Sequence, residues 1–148
     1  MKPVTILAAC FFIVFSIAQE PLKESMFEGE LRGKPMQLFI QTFEQDCTQQ
    51  YYYRTIVRFK SNEVEETVWR KFHIYANTAN GYLLVDDYWN VGRFNNYIYL
   101  EQDASGLSGF IKSENSPQET LKLIRNTSIA NFESYRKEME IIDAHDDC

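Results

Sequence analysis

Acidic, histidine and cysteine side chains are the residues of this chain that could support catalysis or hold a metal. Asp86 and Asp87, with His73, could be imagined as general acid and base. Adjacent residues of a strand point to opposite faces, however, so only one of the two aspartates could face a given site. The sequence contains no Gly-x-Ser-x-Gly motif, phosphate-binding loop or zinc-ligand spacing, and its other histidine, His145, is distant. We therefore expect no enzyme activity, no bound metal and no cofactor.

Aromatic side chains are the more informative group. Phe, Tyr and Trp make up 15% of the 148 residues, which is more than a small core usually needs, so we expect some rings to contact a ligand or a partner. The net charge of −6 argues against a nucleic-acid partner, because binding a phosphate backbone relies on Lys and Arg.

The N-terminal segment has the features of a signal peptide. Lys2 precedes an apolar run from Ile6 to Ala18, which is too short to span a hydrocarbon core of about 30 Å and ends in small residues suited to signal peptidase. We expect cleavage after Ala18, which gives a leader over residues 1–18 and a single secreted domain over residues 19–148. The alternative is a short membrane anchor, but no basic cluster follows the run, so we expect no membrane insertion of the mature chain.

The body of the chain has the pattern of short β-strands separated by turns. Asn80-Gly81 favours a tight hairpin because both residues tolerate positive φ. Seven short strands, spaced about ten residues apart and separated by turns, indicate an antiparallel barrel or sandwich. The predicted strands cover residues 38–43, 51–60, 66–75, 82–89, 96–102, 107–113 and 119–125.

One helix is predicted at the end of the chain. Ser128 can cap a helix over residues 129–142. Its apolar residues recur every three or four positions and form one stripe, which we expect to pack on the outside of the sheet. The stripe consists of Ile129, Phe132, Tyr135, Met139 and Ile142.

Removal of the leader would leave two cysteines, Cys47 and Cys148. In an oxidising compartment they most simply pair, and a bridge closing so long a loop stabilises a fold by roughly 4.7 kcal/mol in the chain-entropy model. The alternative is that Cys148 links to a second chain and forms a homodimer. Asn126 begins an N-glycosylation sequon, whose use depends on its exposure.

The order of these features resembles the lipocalin family, and most closely its odorant- and pheromone-binding branch. Residues 34–47 resemble the second strand of that family and the cysteine after it, residues 118–124 its last barrel strand, and residues 143–148 its acidic tail with a terminal cysteine. The resemblance implies a mainly β fold, an antiparallel up-and-down barrel with one C-terminal α-helix. It also implies a disulfide from the early strand to the C-terminus.

The chain departs from the family at the first strand. The family signature is Gly-x-Trp, where the Trp closes the barrel floor, but the comparable triplet here is Gly33-Lys34-Pro35. Trp69 and Trp89 lie too late in the sequence to substitute for it. We therefore expect the first strand to be shortened or absent and the barrel to be incomplete, with an edge that residues 22–33 or a second chain could cover.

The resemblance and the apolar alternation together predict a secreted carrier. A barrel of about eight strands has room for one small ligand, and apolar inward positions make that ligand hydrophobic, as an odorant or pheromone is. Ordinary core packing is the competing interpretation for every candidate, and a register error of one residue would exchange the two faces. The candidate cavity residues are Phe39, Tyr53, Val57, Phe59, Tyr82, Leu84, Tyr97, Tyr99 and Phe110.

A second function stays open. A secreted β-rich protein-binding module, such as an immune modulator or antagonist, would use exposed aromatic residues to contact a protein and would bind no small molecule.

Overall fold

A computed structural model describes residues 20–45, 50–59, 68–77, 80–85, 96–113 and 116–146. Within these residues the chain forms eight strands and one helix: β1 (Lys23–Leu31), β2 (Lys34–Gln45), β3 (Gln50–Phe59), β4 (Trp69–Ala76), β5 (Gly81–Val85), β6 (Asn96–Gln102), β7 (Gly106–Ser113), β8 (Glu119–Arg125) and α1 (Glu133–Asp146). The strands follow one another in a closed antiparallel barrel. The predicted fold class is thus confirmed. The leader, Cys47, Cys148, Asp86 and Asp87 lie outside the described residues.

The first strand is complete, so the expectation of a shortened or absent strand was wrong. β1 pairs along its whole length with β2. Its residues Phe27, Glu28 and Gly29 also pair with Arg125, Ile124 and Leu123 of β8. A strand needs alternating side chains and backbone partners rather than one particular aromatic residue, and Phe27 supplies the inward ring without a Trp. The barrel therefore closes within one chain.

The contact between β1 and β8, which we call the seam, includes a close backbone approach at Gly29. A Cβ atom at Gly29 would lie 2.3 Å from the carbonyl oxygen of Lys122. The Arg125 guanidinium lies over the Phe27 ring, 5.4 Å from its centroid. The backbone N–H of Asn126 donates to the carbonyl of Met26 at 2.9 Å. Only glycine at position 29 lets the two strands come this close.

Side chains fill the middle of the barrel. Leu38, Val57 and Leu84 have 0% of their surface exposed, which means that no water-sized space touches them. All eight strands contribute to this cluster, which we call the barrel core. Its buried members are Phe27, Leu31, Met36, Leu38, Ile40, Val57, Phe59, Phe72, Leu84, Ile98, Leu100, Leu107, Ile111, Leu121 and Leu123.

The hairpin predicted at Asn80-Gly81 is present, but only Asn80 of the pair adopts a positive φ. Asn80 has a φ of 61°, and the backbone N–H of Asn77 donates to the carbonyl of Gly81 at 2.9 Å. The turn joins β4 to β5, which pair in an antiparallel ladder.

The helix begins later than predicted but packs as predicted. Asn131, not Ser128, caps it: the Asn131 side-chain oxygen accepts from the N–H of Glu133 at 2.8 Å. The N–H of Ser128 instead donates to the Asn126 side chain at 2.9 Å. The apolar stripe still covers the outer wall of the barrel, where all five predicted residues contact a cluster containing Met26, Phe39 and Ile56.

An ion pair also fastens the helix to the wall. The Nε of Arg136 donates to Glu24 at 2.8 Å, and the amide of Gln41 donates to the same carboxylate at 2.9 Å. The Glu24 side chain is only 8% exposed. The hydrogen bond from Arg136 is the main cause that lowers the pKa of Glu24 from its ordinary value of 4.5.

The close approach at the seam gives a direct prediction. Gly29→Ala forces β1 away from β8, and we expect it to lower the free energy of unfolding by about 1–3 kcal/mol. Urea unfolding followed by circular dichroism measures the change. Glu30→Ala, at an exposed position of the same strand, is the control and should have little effect. Equal stability of Gly29→Ala and the wild type would contradict the close approach.

The link between the helix and the wall predicts a pH dependence. Because folding lowers the pKa of Glu24, its ionised form stabilises the fold above about pH 4.5, and this contribution disappears as the pH falls through the lower folded-state pKa. Glu24→Gln should therefore be less stable than the wild type at pH 7, and the difference should shrink in acid. Glu138→Gln, at an exposed position of α1, is the control for the change in charge. A difference that does not vary with pH would refute the assignment.

Candidate functional site

The barrel wall opens where β3 and β4 separate. Their paired register runs from Arg58 opposite Trp69 to Thr55 opposite Phe72. Both strands continue beyond this point, but no further β3–β4 pair follows among the described residues. β3 goes on pairing with β2, and β4 with β5. The wall therefore has a gap between two strands that are each held on their far side.

A cavity of about 460 Å³ lies at this gap, and we call it the cleft. Its volume falls within the range of small-molecule sites. Its floor carries the inward side chains of β3 and β4, and its mouth carries their outward side chains together with two residues of α1. The lining residues are Tyr53, Arg54, Thr55, Lys71, Phe72, His73, Ile74, Tyr75, Met139 and Asp143.

Two tyrosine rings meet at the inner side of the cleft. Tyr53 and Tyr82 contact edge to face, with 5.7 Å between ring centroids, and both pack against the barrel core. Burial raises the pKa of both hydroxyls. Both hydroxyls are protonated at neutral pH, and that of Tyr53, which lines the cleft, can donate a hydrogen bond to a polar group of a ligand.

An ion cluster bridges the mouth. Asp143 of α1 binds Arg54 of β3 through its Oδ2 atom, and its Oδ1 atom lies 2.9 Å from the Lys71 Nζ atom of β4. One carboxylate thus joins the helix to both strands that border the gap.

Five of the nine predicted cavity residues face inward. They are Tyr53, Val57, Phe59, Tyr82 and Leu84, which belong to the barrel core or pack against it. Of these, only Tyr53 lines the cleft. Val57, Phe59 and Leu84 are buried in the packed interior.

The other four predicted residues, Phe39, Tyr97, Tyr99 and Phe110, face outward, which corrects their expected orientation. Phe39 lies under the helix, 5.7 Å from the Phe132 ring between centroids. Phe110 packs against Tyr99 at 5.6 Å and against Tyr97 at 6.1 Å. On β6 and β7 the inward positions that alternate with Tyr97, Tyr99 and Phe110 are taken by aliphatic residues. These are Ile98, Leu100 and Ile111.

A difference in polarity explains which set of β6 residues points inward. Ile98 and Leu100 have no polar atoms and fit a dry interior. The hydroxyl of Tyr99 donates to the exposed Glu101 carboxylate at 2.8 Å, a partner that the barrel core does not offer. Alternation alone could not choose between two apolar faces.

Most of the cleft residues were absent from the predicted set. Phe72 and Ile74 share one face in the alternation of residues 66–75, so the sequence did contain a signal for them. Asp143 had none, because its partners lie far away in sequence.

The amide nitrogen of Asn126, where a glycan would attach, donates to the Glu28 carboxylate at 2.8 Å, so a glycan would have to replace this bond. Glycosylation stays a prediction.

Comparisons with known proteins identify no relative: no family model, curated protein or solved structure matches the chain. The lipocalin resemblance therefore stays a prediction, whereas the barrel itself is observed.

In the described part of the chain, no helix has the length and apolar character needed to cross a bilayer. Among those same residues, no three His, Cys, Asp or Glu side chains are grouped so as to hold a metal ion.

Proposed function

We propose that the chain is a secreted carrier that reversibly binds one small hydrophobic molecule of the odorant or pheromone type. The observation that supports this proposal best is the cleft, a cavity of about 460 Å³ whose floor is formed by inward side chains of a closed barrel. Secretion rests on the leader predicted over residues 1–18. We place the ligand in the cleft rather than at the centre of the barrel.

Packing decides between these two places. A ligand at the centre would have to displace side chains such as Leu38 and Leu100, which are already fully buried, and close-packed interiors resist added volume. The cleft is open space beside the partly exposed Ile74, with the nearly buried Phe72 and Met139 adding a little apolar surface at its edge. Burial of apolar ligand surface against these groups drives binding.

The closed barrel also makes the site rigid before the ligand arrives. β3 and β4 each keep a paired neighbour beside the gap, so the cleft exists without rearrangement of the wall. A preformed site avoids part of the entropy cost of binding.

The proposal predicts that the neutral fluorophore N-phenylnaphthylamine binds the mature chain at one site in the micromolar range. Ile74→Trp fills the floor and should weaken binding by about tenfold or more, since excluding even about 60 Å² of apolar ligand surface costs about 1.5 kcal/mol. A fluorescence titration measures both affinities, and circular dichroism checks that the variant is folded.

Ile124→Trp is the matched control. It makes the same substitution on β8 at a position that is 58% exposed and distant from the cleft, so the affinity should not change. A folded wild-type chain that shows no saturable binding, or two tryptophan variants that weaken binding equally, would overturn the proposal.

The outer wall gives some support to the alternative, a secreted protein-binding module. Tyr75 is 60% exposed and Leu83 is 38% exposed. They are register partners, and the row continues through Tyr99 to Phe110. A row of apolar side chains on the surface suits a protein interface. The same titration separates the two functions, because a module of this kind should not bind the fluorophore.

A further inference from the structure

We propose that the ligand of the cleft is an anionic amphiphile: a small apolar molecule with one carboxylate, which takes the place of Asp143 as the counter-ion of Arg54 and Lys71. This inference rests on the proposed function of the cleft and narrows its ligand to one chemical class.

The mouth of the cleft already binds a carboxylate, supplied by the chain itself. Arg54 holds one oxygen of Asp143, and Lys71 holds the other, with 2.9 Å between its Nζ atom and Oδ1. The two cations come from the two strands that border the gap, and both line the same cavity as the carboxylate that they bind. Hydrogen bonds between charged partners are stronger than neutral ones, and this geometry favours a carboxylate over a neutral head group.

Asp143 occupies this position at an electrostatic disadvantage. It lies in the last turn of α1, which ends at Asp146. The C-terminal end of a helix carries partial negative charge, so a carboxylate there is repelled. A ligand carboxylate could satisfy both cations in its place, and Asp143 would then lie in solvent, where water screens its repulsion from the helix end. Asp143 is already 29% exposed and can move into solvent when it is replaced.

The apolar part of such a ligand has a place directly beneath its head group. Phe72 and Ile74 point inward from β4 and form the floor, whereas Met139 of α1 lines the cavity from the outer wall. Their side chains offer no partner to a charge, whereas Arg54 and Lys71 offer little to an alkyl chain. The cleft thus separates a cationic mouth from an apolar floor, which matches the two halves of an amphiphile.

The test compares decanoic acid with decanol as competitors of bound N-phenylnaphthylamine at pH 8, where the acid is ionised. Asp143→Asn removes the competing carboxylate and should tighten decanoate binding by about tenfold, the typical effect of a charged hydrogen bond. Replacing both cations, Arg54→Gln with Lys71→Gln, should weaken decanoate binding by a similar factor. Decanol affinity should stay within about twofold throughout.

Glu119→Gln is the matched control for charge. It removes a carboxylate from a second ion pair, with Arg32, at the opposite end of the barrel. Decanoate affinity should not change in this variant. Tighter binding in both Glu119→Gln and Asp143→Asn would reflect net charge alone and would overturn the inference. If the double variant does not fold by circular dichroism, Lys71→Gln alone replaces it, with weaker decanoate binding expected.

The remaining outcomes distinguish this inference from the proposed function. If the fluorophore binds, but decanoate and decanol respond equally to every variant, the carrier function stands and the anionic ligand class is refuted. If the folded wild-type chain binds no fluorophore, the carrier function fails, and the inference fails with it.

Discussion

The backbone contact between β1 and β8 at Gly29 closes the barrel, and both the packed interior and the cleft follow from that closure. A side chain at this position would meet the Lys122 carbonyl, so glycine lets the two strands pair without being pushed apart. Once the seam closes, every strand has two neighbours, and one face of each strand becomes interior. Phe27 and Arg125 stack on the inner side of the seam. Without this contact the barrel would have two free edges and its apolar interior would be exposed.

Closure also explains why the candidate site lies at the wall and not at the centre. Large apolar side chains from all eight strands meet in the middle and exclude water. The cleft lies where β3 and β4 diverge, and α1 crosses the outer wall beside it. The helix is held there by Phe132 and Tyr135 against Phe39, and by Asp143 across the gap. The helix that covers the barrel therefore also forms one side of the cleft.

Local patterns in the sequence predicted much of the fold. The predicted strands over residues 96–102 and 119–125 coincide with β6 and β8, because turn residues bound both. The predicted apolar stripe packs on the outer wall, although Ile129 and Phe132 precede the first residue of α1. The predictions of strand orientation, of β1 and of the site failed because short-range sequence patterns carry no information about them. On β6 both faces are apolar, and the choice depended on the Tyr99 hydroxyl finding Glu101. β1 could be identified only from its pairing with β2 and β8. The cleft could be identified only from the point where β3 and β4 stop pairing. Both depend on contacts between segments that are distant in sequence.

The central claim is that a small ligand enters the cleft and leaves the barrel core undisturbed. Nuclear magnetic resonance of the methyl-labelled chain, recorded with and without saturating N-phenylnaphthylamine, tests it most directly. We predict that the largest chemical-shift changes occur at Thr55, Ile74 and Met139, with little change at Leu38, Val57 and Leu84. The largest changes at those three core residues, or no changes at any of the six, would contradict the account.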